Sequence, residues 1–92
     1  MKNYQECTSA ELQNKLEQRN YWSRIHSNKL LAKVQAEDPA KIIKDGTSKI
    51  ISYYDRHMNY LCTIHLITSK DGIILHEHIK DAYLDGVRYK AM

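Results

Sequence analysis

Ninety-two residues make one domain, 1–92, because half that length falls below the size at which a core closes unaided. Apolar residues at 42% and charged residues at 27% exclude a disordered tail. No apolar run nears the roughly 20 residues that span a bilayer, the start lacks a signal peptide's apolar stretch, and the net charge of +3 is mild; a cytoplasmic chain with no membrane partner is expected.

The first half, 8–46, reads as helical. Thr8-x-x-Glu11 fits a capping box. Leu12, Leu16, Leu30 and Val34 fall within about 40° of one another on a helical wheel. No strong breaker precedes Asp38-Pro39, so the pattern allows one long helix or two kinked near Ser27. Asp38 then caps a short third helix that Pro39 opens, with Gly46 as its left-handed end and Ile42 and Ile43 reaching the core.

The second half, 48–90, changes period. Lys49–Tyr54, Tyr60–Thr68 and Ile73–Lys80 read as strands, and Val87–Tyr89 as a short fourth after Asp85-Gly86. The expected fold class is α+β: N-terminal helices packed on a three- to four-stranded antiparallel meander. At the level of architecture this order resembles the compact bacterial ribonuclease toxins. That resemblance carries over no catalytic residue.

Strand pairing decides which side chains meet. A two-residue Asp71-Gly72 loop sets His65 opposite His78, with His76 diagonal on the same face. A four-residue loop sets His65 opposite His76 and still keeps the three together; only an odd loop or a bulge separates them. Tyr60, Cys62, Ile64, Leu66, Ile73, Leu75 and Ile79 then share the core face, with Glu77 the misfit. Thr63 and Ser52 stand beside the histidines.

Three imidazoles on one face suit acid–base chemistry, a metal site, or a merely solvated strand. In the acid–base reading His65 and His78 move protons and His76 or a nearby tyrosine positions the substrate. No metal or other cofactor is assigned, because no fourth ligand is fixed and the Glu77 carboxylate points the wrong way.

Residues 18–36 contain no acidic side chain. On a continuous helix Lys15, Arg19, Trp22, His26, Lys29 and Lys33 form one stripe. Arg19, Trp22, Lys29 and Lys33 are therefore candidate nucleic-acid contacts, with Lys80 and Arg88 at the phosphate. The plainer alternative buries Trp22 and drapes the cations around it. Cys7 and Cys62 are expected as reduced thiols, Cys62 in the core. Seven tyrosines and no phenylalanine suit partly wet surfaces. The expected function is a small nucleic-acid-binding domain, RNA favoured, with a metal-independent ribonuclease as the enzymatic version of that reading and its status as an enzyme left open. The alternatives are a non-enzymatic module of phage or mobile-element type with a protein partner, and a histidine-based metal binder.

Overall fold

The computed structural model describes residues 3–92. A three-residue strand, β1 (Gln5–Cys7), leads into α1 (Ser9–Gln18). The Thr8 hydroxyl accepts from the Glu11 amide at 3.0 Å, and the Glu11 carboxylate accepts in return from the Thr8 amide. This is the capping box the sequence predicts. Leu12 and Leu16, one turn apart on α1, are fully buried.

The helical run is not continuous. Asn20 takes a left-handed conformation (φ 62°), and α2 (Tyr21–His26) starts afresh beyond it. Asn28 (φ 59°) follows α2, and Leu31 begins a strand. A helix cannot pass through such residues, since each costs about 1–2 kcal/mol and turns the axis.

The strands are β2 (Leu31–Pro39), β3 (Thr47–Tyr54), β4 (Tyr60–Thr68), β5 (Ile74–Leu84) and β6 (Val87–Ala91). They form one six-stranded sheet in the order β1-β6-β5-β4-β3-β2. β2 to β6 run as an antiparallel meander, and β1 adds in parallel to β6. The expected fold class is corrected accordingly. The described residues are mostly sheet, six strands with two short helices, and the likeness to ribonuclease toxins loses its basis.

The error lies in 28–46. Leu30 to Glu37 contains good helix formers, but helix propensity is worth only a few tenths of a kcal/mol per residue. Pairing along β3 outweighs it. Pro39 closes β2 opposite Thr47, an edge position that needs no ladder donor. The expected third helix is a turn, closed by the Ala40 amide donating to the Gly46 carbonyl at 3.0 Å and the Gly46 amide to Ile43 at 3.1 Å. Asp45, not Gly46, is left-handed there (φ 60°). Gly46 is needed for space: a Cβ would stand 2.8 Å from the Thr68 carbonyl oxygen. Ile42 is 90% exposed rather than in the core.

The core joins Leu12, Leu16, Ile25 and Leu30 to Leu61, Cys62, Ile64, Ile79, Ala82 and Leu84. One face of the sheet meets the helices; the other stays open. Bulges refine the expected alternation. Tyr53 pairs with Cys62 and Tyr54 with Tyr60, leaving Leu61 as the extra residue. Leu61 and Cys62 are both buried as a result, and Tyr60 turns to the open face. Ile73 and Leu75, expected in the core, lie exposed at the end of the β4–β5 hairpin. Both thiols are free, and burial pushes Cys62 up to about 12.

Candidate functional site

The register across the open face sets the site. Ile50, His65 and His78 form one row over β3, β4 and β5, and Ser48, Ile67 and His76 form the next. The β4–β5 hairpin closes on the Ser69 amide donating to Ile73, leaving the odd loop Lys70-Asp71-Gly72. Thr68 pairs with Ile74 and Ile67 with His76, so Leu75 is an extra residue. The odd loop and the bulge cancel. His65 therefore stands opposite His78, as a two-residue loop would have placed it.

The three rings converge. Their centroids lie 5.1 Å (His65–His78), 5.9 Å (His65–His76) and 4.7 Å (His76–His78) apart. One ring nitrogen from each falls within 4.8 Å of the others. His76 Nε2 and His78 Nδ1 are hydrogen-bonded at 2.6 Å, and His65 Nε2 meets the Ser48 hydroxyl at 2.8 Å. Burial lowers the pKa of His65, helped by the charges of Lys80 and His76. Burial likewise lowers His78, with His76, His65 and Lys80 adding. Both shifts favour the neutral form, the one with a lone pair to offer.

Lys80 follows His76 and His78 onto the open face by alternation, and Asp81 joins it there through another bulge. Ile79 pairs with Ile64 and Asp81 with Thr63, which leaves Lys80 unpaired between them. Beside it Asp81 is buried, accepting from the Tyr60 hydroxyl at 2.8 Å and from Arg88 Nε at 3.0 Å. Burial and the Asp81 charge raise the Tyr60 phenol above its ordinary value. The Thr63 hydroxyl joins this group through Tyr60 and Ser52.

The expected cationic stripe does not form. Arg19 pairs with Asp85 across to the β5–β6 turn, and Trp22 packs on the core with its ring 4.7 Å from His26. Lys29 is exposed just beyond α2, and Lys33 lies on β2 opposite Ser52, on the open face. Of the six candidate contacts, Lys33, Lys80 and Arg88 share the histidine face. Arg19 and Trp22 do not, because the chain reverses between α2 and β2.

Glu77 finds its reason on the helix side. Its carboxylate accepts from His26 Nε2 at 3.0 Å, while His26 Nδ1 donates to the Trp22 carbonyl at 2.8 Å. Burial opposes the charge on His26, but the bonds to Trp22 and Glu77 raise its pKa.

Sequence reading missed Ser48 and Tyr60. Ser48 becomes visible once the β3–β4 register is known, whereas Tyr60 reaches the open face only through the bulge at Leu61. It also missed the groove of about 690 Å³ between the Pro39–Ile43 turn and Ser48, His65 and Ile67. No protein-family model, curated protein or solved structure matches this chain.

Proposed function

We propose that this chain is a transition-metal-binding domain whose centre is His65, His76 and His78. One observation carries the reading: three ring nitrogens, from two strands, lie within 4.8 Å of one another on a face the core does not use. Imidazole suits zinc, copper and nickel. Metal–nitrogen bonds of about 2.0–2.1 Å keep donors on one ion at most about 4 Å apart. The trio closes to that limit by small ring rotations, and the ring that donates between His76 and His78 shifts its proton to its other nitrogen so that each keeps a lone pair for the ion. If His65 Nε2–H donates to Ser48, Nδ1 keeps the lone pair that ligation needs, and the serine acts as the outer partner that orients the ring. Three protein ligands leave a position for water or a substrate atom, the pattern of a catalytic rather than a structural centre.

Titration with Zn²⁺, and with Co²⁺ for its visible absorption, tests this. One ion per chain is expected. His65→Ala should weaken binding at least about tenfold, because His76 and His78 alone offer only a two-ligand strand site. Equal affinity in His65→Ala and the unaltered chain would overturn the three-histidine centre.

A second reading draws on Lys80 and Arg88 sharing this face. His65 and His78 would exchange protons with the ribose hydroxyl and the leaving oxygen of RNA while the cations hold the phosphate. Cleavage of single-stranded RNA with chelator present, lost in His78→Ala, would favour it over the metal centre.

A further inference from the structure

The open face is ordered along its strands. Next to the histidine row lies a mainly apolar groove, lined by Pro39, Ala40, Ile42, Ile43 and Ile67, with Asp38 and Lys41 as its charged residues. His65 and Ser48 line the same groove, so it reaches the trio at His65. Ile67 also pairs with His76. One row further in the opposite direction stands Lys80, which has no carboxylate partner among the described residues. Asp81, its neighbour, is already engaged by Tyr60 and Arg88.

We propose that this face binds an amphipathic carboxylate, with its aliphatic tail in the Pro39–Ile43 groove and its head at His65, turned toward Lys80. The tail is argued from the groove's continuity with the histidine trio and from Ile42, an apolar side chain 90% exposed at its rim. The groove's volume is that of a small-ligand site. The head is argued from charge. A divalent ion beside the Lys80 ammonium leaves the centre strongly positive, and an anion relieves both. Rows two residues apart along a strand are about 7 Å apart, so a head at His65 puts a short chain alongside Ile67. A Cβ on Gly46 would meet the Thr68 carbonyl and the Ile43 side chain, so glycine lets the turn lie close as the groove's outer wall.

This inference rests on the metal reading for the head and not for the tail, so the test separates them. Butanoate, hexanoate and octanoate are titrated into the full chain, chelator-treated and Zn²⁺-loaded, with octanol as the uncharged control. Affinity should rise about fourfold per added CH2, in both states, and octanol should bind more weakly than octanoate. Ile42→Ser should flatten the chain-length series, and Lys80→Gln should weaken all three acids by one common factor. Both side chains are exposed, and amide spectra confirm the fold of each variant. Affinity independent of chain length, or octanoate shifts confined to the helix-covered face, overturns the inference while leaving Zn²⁺ binding as its own result. Loss of Zn²⁺ binding with an intact chain-length series overturns the metal reading alone.

Discussion

The two faces of β5 carry the two halves of this protein's physics. Toward the helices, Ile79, Ala82 and Leu84 are buried and Glu77 meets His26. Toward the open side, His76 and His78 meet His65, and Lys80 stands beyond them. The same strand thus supplies stability on one side and ligand chemistry on the other. Side chains alternate on either side of the bulge at Lys80, so the sets interleave without sharing residues. A substitution should therefore lose stability or binding, and only rarely both.

The largest effect should come from the covered face. Ile64→Ala or Ile79→Ala should cost about 2–5 kcal/mol, the usual range for emptying a filled core position. Urea unfolding measures it, and a loss under about 1 kcal/mol would show a core less tightly packed than their near-zero exposure implies.

Glycines sharpen the contrast between packing and conformation. Gly46→Ala should destabilise by about 1–3 kcal/mol, since the added carbon meets a backbone carbonyl that cannot rotate away. Gly72 has φ 83° and open space around it, so Gly72→Ala should cost about 1 kcal/mol, all of it conformational. Equal melting shifts for the two would remove the steric role of Gly46.

On the open face, His65→Ala should leave stability within about 1 kcal/mol, the worth of its bond to Ser48. Its Zn²⁺ affinity should nonetheless fall. Unfolding at the same urea concentration, with Zn²⁺ no longer raising the midpoint, is the combined signature.

The smallest effect distinguishes the faces by sign. His26 has its pKa raised in the fold, so its contribution is present below the ordinary value of 6.5 and lost as pH rises through the raised one. His65 and His78 have theirs lowered, so their contribution is present above 6.5 and lost as pH falls through the lowered values. Glu77→Gln should remove the first slope, about 0.2–1 kcal/mol for a partly exposed pair, and leave the second. Urea midpoints followed across this range measure both, and one slope of a single sign for every histidine would break the contrast.

Features that are local or periodic were legible in the chain alone. Thr8 and Glu11 specify the helix start within one turn, and the alternation from Cys62 to His65 assigns core and open faces with no knowledge of neighbours. The three histidines come together for the same reason, since any register that buries Ile64 and Ile79 turns His65 and His78 outward. Tertiary structure decided the rest. Whether 31–39 is helix or strand depends on a partner strand that begins only at Thr47, and its apolar spacing satisfies either form. The bulges at Leu61, Leu75 and Lys80 shift faces by one residue without a glycine or proline to announce them. Tyr60 turns to the open face through one of them, and Asp81 meets it there through another. Pairing energy summed along whole strands selects these features, and no window of the chain contains that sum.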